Sequence, residues 1–361
     1  MREFKLSGPA WFDASPEPVI LTHDGYTAYY NTAAAALAGR SGWTLQEGTP
    51  LPEPLQTIDG AGVQTMELAG ERWMCRTERL EAGVLICLTL SPSSVSVPLE
   101  RLAQLAERMR LPLGSLIGVS QLLAQTDAQR TEEKTRQYQS MQRKSYYTLL
   151  RMLNTLETLG SLSDGHCPFQ GEPLDLGGLC ADVVRRVQSV CGEAGCTLEF
   201  RQNGGNLLVQ GEDALLRQML YHLISNAIRA AGDGGRITLE LEKCGGKGRR
   251  WVRLVIWDSG GGFRPEQLAR AFDPAQGAAG LSDQSEGLGM GLALCRRIAE
   301  RHGGRMAVMT GASAVTAVEL PLCDGLSFGA LHSPSDLSGG INETLVQLSD
   351  VLPWQCFTEQ E

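Results

Sequence analysis

Three stretches decide how this chain reads: HLISNAIR (residues 222–229), DSGGG (258–262) and GLGMG (287–291). The first lies inside a run from Asp213 to Ala231 that carries apolar residues at helical spacing and stops at Gly232, which predicts a helix. Asn is a poor helix former, so Asn226 among apolar neighbours asks for a partner. Its side-chain oxygen suits Mg²⁺, which takes hard oxygen ligands. His222 stands four residues before it and Arg229 three after, so the three share one helix face. An arginine there can hold a phosphate. A histidine is a poor Mg²⁺ ligand, and a hydrogen-bonded helix histidine is the plainer reading of His222.

Asp258 ends the apolar run LVIW and is followed by Gly260, Gly261 and Gly262. A carboxylate at a strand end can accept a hydrogen bond from an exocyclic amine. Bare backbone at Gly260 and Gly262 lets a flat base pack closely. Alone, the motif is equally an ordinary strand-ending turn. Gly287, Gly289 and Gly291 immediately precede a predicted helix, Leu292 to His302. Glycines there open backbone N–H groups to an anion, and a helix N-terminus adds favourable partial charge. Alone, they are equally a flexible loop. No G-x-x-x-x-G-K-[ST] pattern occurs, which excludes a P-loop.

Outward from these motifs the chain divides into segments. From about Asp164 the pattern is mixed α/β: a helix over Leu176–Ser189 with Asp175 as its N-cap, and strands at TLEFRQ, NLLVQ, RITLELE, RWVRLVIWD, RMAVMT and AVTAVELPL. Residues 325–361 are Ser/Gly-rich and turn apolar at LVQLSDVLPW; no role is assigned to them. Upstream, Leu102, Leu105, Met109, Leu113, Leu116, Val119 and Leu123 form one stripe on a predicted helix from Leu99 to about Thr126, with Pro112 expected to kink it. A second helix, Glu133 to Leu162, turns Tyr138, Met141, Leu149, Met152, Leu153, Leu156 and Leu159 inward. Such an αα-hairpin (residues 96–163) cannot bury both stripes alone, and dimerising into a four-helix bundle is the natural solution. Residues 91–98, SPSSVSVP, are a linker by composition. Residues 1–95 form a small α/β unit. It has a strand at Pro18–Leu21, a turn at His23-Asp24-Gly25, a return strand to Asn31, and a helix TAAAALAG stopped by Gly39. RWMCRTERL and GVLICLTL are its later strands.

Composition narrows the function. The 361 residues carry 32 Lys plus Arg against 41 Asp plus Glu, a formal charge of −9, which argues against nonspecific nucleic-acid binding. The ten Cys are scattered with no C-x-x-C pair, so reduced thiols in a cytoplasmic protein are expected and a zinc site is not. The longest uncharged stretch, Ala82 to Leu99, has only VLICLTL as its apolar core, far short of the ~20 residues of a membrane helix. The N-terminus lacks the apolar region of a signal peptide.

Together the three motifs resemble the N, G1 and G2 boxes of the ATP-binding domain shared by histidine kinases, gyrase, Hsp90 and MutL. RAFDPAQ looks like the F box, and GLALCRRIAERHGG like the kinase helix after G2. RLPLGSLIGVSQLL is similar to the segment that follows the acceptor histidine in a kinase dimerisation domain, and WFDASPEPVIL…DGYTAYYNTAAAALAG to a PAS sensor. The resemblance, over about residues 10–323, implies a multidomain α+β sensor histidine kinase of a two-component phosphorelay. Its parts would be a PAS-like sensor for an unknown ligand, a dimerising helical hairpin, and an α/β sandwich ATP domain at residues 164–324. It implies ATP and Mg²⁺ as cofactors, with Mg²⁺ on Asn226, adenine on Asp258 and the base against Gly260 and Gly262. Gly287, Gly289 and Gly291 would border the phosphates, and residues 272–286 would form a mobile lid. A homodimer and a response regulator or partner kinase are the implied partners.

One departure bears on activity. The family carries His-Glu-x-x-[Thr/Asn]-Pro on the first hairpin helix. Here Glu107 stands at the acceptor position, Arg108 at that of the acidic helper and Leu111 at that of the phosphatase residue, ahead of Pro112. None of the five histidines (His23, His166, His222, His302, His332) lies on this helix. A carboxylate cannot form a phosphoramidate, and Glu107 also reads simply as a solvated helix position. His222 departs too, since histidine kinases often carry Asn there. Two readings follow: a kinase whose acceptor is displaced or supplied by a partner, and an ATP-binding pseudokinase that passes signals without phosphorylating itself. A third, a Ser/Thr kinase of the anti-sigma type, would have Glu in place of His222.

Overall fold

Asp24 and Gly25, with φ of 52° and 82°, supply the two left-handed positions of the first hairpin turn. The computed structural model describes residues 17–56, 62–68, 71–80, 83–90, 99–125, 131–163, 169–205, 207–244, 250–261, 290–309, 315–323 and 342–358. Two units divide the chain, residues 1–96 and 97–361. In the first, the turn joins β1 (Val19–His23) to β2 (Tyr26–Tyr30). With β3 (Gly62–Leu68), β4 (Glu71–Leu80) and β5 (Gly83–Leu90) they form an antiparallel sheet in the order β2-β1-β5-β4-β3. Ile20, Ile86 and Leu88 of the sheet pack with Leu37 and Leu55. These last two come from α1 (Thr32–Ser41) and the short α2 (Glu53–Gln56).

Asn31 caps α1, its Oδ1 accepting from the Ala34 N–H at 2.9 Å and the Val19 N–H at 3.0 Å. The expected stop at Gly39 is corrected. Gly39 is an ordinary helical residue, and the left-handed terminator is Gly42, with φ of 73°. The edge strand β3 and helix α2 were not read from sequence. The linker 91–98 lies outside the described residues.

In the second unit, α3 (Leu99–Ala124) continues through Pro112 and packs against α4 (Glu132–Ser163). Ser145 Oγ donates to Ser115 Oγ at 3.3 Å and Gln142 Nε2 to Ser120 Oγ at 2.9 Å, so the pair is antiparallel. Val119, Met152 and Leu159 are buried as expected. Leu113 and Leu153, also expected inward, are 45% and 51% exposed, beside Leu111 at 70% and Ile117 at 50%. One facing helix cannot cover stripes this wide.

The α/β part starts with β6 (Glu172–Asp175), which pairs with β8 (Leu208–Gly211). Asp175 caps α5 (Leu176–Cys191) through the Gly177 N–H at 3.1 Å, as the sequence predicts. A five-stranded sheet follows the order β11-β12-β10-β9-β7. Its strands are β7 (Thr197–Asn203), β9 (Arg236–Cys244), β10 (Trp251–Asp258), β11 (Arg305–Met309) and β12 (Val315–Pro321). Only β7 and β9 are parallel. Against one face lie α6 (Asp213–Ala231) and α7 (Gly291–Arg301), with Met219, Leu220, Leu223, Leu294 and Ile298 meeting Ile237, Leu239, Leu254 and Ile256. The other face carries Glu319 in register between Arg253 and Arg305; it accepts from their Nε atoms at 2.8 and 2.6 Å.

The C-terminal segment, unassigned in the sequence, is integral to this unit. It forms α8 (Glu343–Gln347) and a 3₁₀ turn (Trp354–Phe357), and Leu348, Leu352 and Phe357 join the same core. Tyr221 of α6 hydrogen-bonds Thr344 at 2.9 Å, and Arg143 of α4 donates to the Phe357 carbonyl at 3.1 Å. No described helix is long and apolar enough to cross a membrane.

Candidate functional site

The strong apolar stripe of α6 presses it onto the sheet and leaves its polar arc on the opposite side. At 100° per residue, Ser225, Arg229, His222 and Asn226 fall within about 100° of one another. Strand β10 delivers Asp258 beside the end of that helix. Asp258 is buried, and its Oδ1 accepts from the Gly260 N–H at 2.9 Å. Burial raises its pKa, opposed by that backbone hydrogen bond. A Cβ at Gly260 would overlap the Ala230 carbonyl oxygen, so only glycine lets this turn close onto α6. Gly291 opens α7 against the same helix: a Cβ there would stand 3.2 Å from His222 Nδ1 and 3.9 Å from Asn226 Nδ2. The expected residues Asn226, Asp258, Gly260 and Gly291 therefore converge on α6. Gly262, Gly287, Gly289, the F-box segment and the lid at 272–286 lie outside the described residues.

The convergent groups fit a magnesium nucleotide. Asn226 is half-buried and has no hydrogen-bond partner among the described residues, leaving its amide oxygen for a hard cation. Asp258 offers a buried acceptor beside a strip of bare backbone. Among the described residues there is no cluster of His, Cys, Asp or Glu that could hold a metal by itself.

Four residues of the site were not read from sequence: Arg151, Thr155, Ser225 and Asp350. Arg151 Nη2 donates to His222 Nδ1 at 3.2 Å, and Thr155 Oγ1 lies 3.4 Å from His222 Nε2. Arginine has no acceptor, and the Thr155 hydroxyl already donates to the Arg151 carbonyl at 2.8 Å. The imidazole is therefore neutral, with its proton on Nε2. Its pKa is held well below the ordinary value by burial first, then by Arg151 and Arg229. Asp350 of the C-terminal segment pairs with both Arg151 and Arg229 and accepts from Ser225 Oγ at 3.0 and 3.2 Å. Arg229, expected to reach a phosphate, is thus engaged by a carboxylate of its own chain. Glu107 stands apart from all this on α3, exposed, accepting from Arg110 Nη1 at 2.6 Å.

His222 makes the fold sensitive to acid. A histidine with a depressed folded pKa contributes stability above its unfolded value, about 6.5, and that stability is lost as pH falls below it. The melting temperature of the chain should fall between pH 7.5 and 5.5. His222→Asn should flatten the slope, leaving the share of His302, whose pKa burial also lowers. Equal slopes in a melting series of the two proteins would contradict this assignment.

A family model described as histidine kinase-, DNA gyrase B- and HSP90-like ATPase matches residues 211–324. The histidine protein kinase DivJ of Caulobacter vibrioides is 25% identical over 296 residues, covering 81% of this chain and 49% of that protein. The adaptive-response sensory kinase SasA of Synechococcus sp. is 32% identical over 217 residues, covering 58% of this chain and 53% of that protein. The chain thus spans about half the length of the curated relatives it matches. Among solved structures, the histidine kinase ThkA in complex with the response regulator TrrA aligns over 85% of this chain and 96% of that one, with a TM-score of 0.48 and 18% identity. Residues 211–324 carry the ATPase domain, and the chain belongs to the two-component histidine kinase family.

Proposed function

We propose that the chain is an ATP-binding signalling protein that does not phosphorylate itself on histidine: a pseudokinase working through a dimeric helical bundle. The observation that carries this reading is Glu107. It occupies the acceptor position, and its carboxylate is an exposed partner of Arg110. A carboxylate has no imidazole nitrogen to form a phosphoramidate. Arg108 and the exposed Leu111 stand where the acidic helper and the Thr or Asn are needed. His222, near the nucleotide position, is neutral and enclosed. The convergence of Asn226, Asp258 and Gly291 favours a second reading, a kinase whose acceptor is supplied by a partner protein.

In either reading, Asn226 holds Mg²⁺ and Asp258 holds the adenine amine. Gly260 and Gly262 line the base, and Gly287, Gly289 and Gly291 border the phosphates. The bound nucleotide supplies a transferable phosphoryl group; the residues of this chain bind and orient it. Residues 1–95 act as a PAS-like sensor for an unidentified ligand, and a response regulator or partner kinase reads the output. The exposed apolar residues Leu111, Leu113, Ile117 and Leu153 are the surface that a second copy would cover.

Titration calorimetry should show Mg·ATP binding to the full chain, weakened at least about tenfold, or about 1.4 kcal/mol, by Asp258→Ala or Asn226→Ala. A folded chain that binds no nucleotide contradicts the reading. Incubation with γ-labelled ATP should leave no acid-labile, base-stable label on the chain, whereas such label on a histidine restores the kinase. Sedimentation at tens of micromolar, an order-of-magnitude range for such interfaces, should report a dimer. Leu111→Glu with Ile117→Glu should dissociate it; a wild-type monomer rules the bundle out.

A further inference from the structure

We propose that the C-terminal segment, residues 342–358, is an internal ligand of the nucleotide site, with the Asp350 carboxylate standing where a nucleotide phosphate would bind. The inference rests on the ATP-site reading and extends it to a competitor built into the chain. The carboxylate is nearly buried and is met by three donors: the guanidiniums of Arg151 and Arg229 and the Ser225 hydroxyl. Ser225 and Arg229 are one turn apart on α6 and bracket Asn226, the position proposed for Mg²⁺. The acid therefore lies against the arc of α6 that a nucleotide's phosphates would use. Two guanidiniums and a hydroxyl converging on one point recognise an oxyanion, and a phosphate oxygen fits the same donors.

The segment is built to hold that position and also to leave it. On one side, Leu348, Leu352 and Phe357 anchor it in the core, and Thr344 is bonded to Tyr221. On the other, Asp350, Val351 and Pro353 line an open, water-accessible hollow of about 550 Å³ with Lys144, Glu193 and Asp233. In the sequence the segment follows residues 324–341, which are rich in Gly and Ser and carry only two charged side chains, Asp324 and Asp336. A tethered acid competes as an intramolecular ligand, and the apparent nucleotide affinity falls by the fraction of time it is docked. Release would free Arg229 for phosphate and loosen the grip of α4 on α6, because Arg151 belongs to α4. Nucleotide binding and the docking of these two helices are thereby coupled through one carboxylate.

The test measures ATP, ADP and adenosine affinity on the full chain, on Asp350→Asn and on Asp350→Ala. Both variants should bind ATP and ADP about tenfold more tightly, which corresponds to a segment docked ~90% of the time. Adenosine, which has no phosphate to compete, should bind all three equally. Because Asp350→Asn leaves the buried Arg151 without its counter-ion and so destabilises the unit, hydrogen exchange on the wild-type chain supplies a second readout. Saturating ATP should deprotect residues 342–358, and adenosine should not. Unchanged ATP affinity in folded variants, or a segment that stays protected under saturating ATP, overturns the inference while leaving the ATP site intact. Binding of neither ATP nor adenosine by any of the three chains overturns the inference and the ATP-site reading together.

Discussion

Two guanidiniums, Arg151 of α4 and Arg229 of α6, meet at one buried carboxylate, and the second unit depends on that meeting. Arg151 is enclosed, and burial, with Arg229 adding to it, pushes its pKa down to about 9. Without Asp350, two like charges and a buried histidine would face one another across a helix interface. Removing one member of a buried pair costs about 3–5 kcal/mol, because the other charge stays behind uncompensated. The carboxylate therefore fixes two things at once: the seat of the C-terminal segment and the contact between hairpin and ATPase domain.

That contact is a polar seam rather than a hydrophobic one at its centre. On α4, Thr148, Arg151, Thr155 and Thr158 follow at helical spacing; on α6, Gln218, His222, Ser225 and Arg229 do the same. Thr158 donates to Gln218 at 3.1 Å, and the Arg151, Thr155, His222 and Asp350 contacts continue the line. Satisfied polar groups of this kind set register more sharply than apolar packing, because a slip leaves donors and acceptors buried without partners. The flanking apolar residues supply the burial.

The α/β core was legible in the sequence because its elements are strongly periodic. The bounds of α6 follow from its apolar run and Gly232, and the capping role of Asp175 follows from its chemistry. Asn226, Asp258, Gly260 and Gly291 were legible as a set because each is costly in its local setting unless something uses it. What escaped has physical reasons. The edge strand β3 has no clean alternation. Gly39 was mistaken for a stop because a helical glycine and a terminating one differ only in φ. Leu113 and Leu153 belong to their stripes, but a stripe does not say how much of it one neighbour can cover. Asp350 escaped altogether: an acid in an apolar tail has no local signature, and its partners lie more than 120 residues away in the chain. The hydroxyl and arginine stripe on α4 was the one available clue, since surface helices seldom repeat Thr at helical spacing without a facing partner.

The proposed function combines an ATP site with a helix carrying Glu107 at the acceptor position, and the C-terminal Asp350 sits on the residues proposed to meet phosphate. A crystal structure of the full chain with Mg²⁺ and a non-hydrolysable ATP analogue tests that combination most directly. The account predicts Mg²⁺ on the Asn226 amide oxygen, the adenine amine on Asp258, and Arg229 turned from Asp350 to a phosphate oxygen. A nucleotide seated with its phosphates away from α6, or bound there while Asp350 keeps both Arg151 and Arg229, would contradict it.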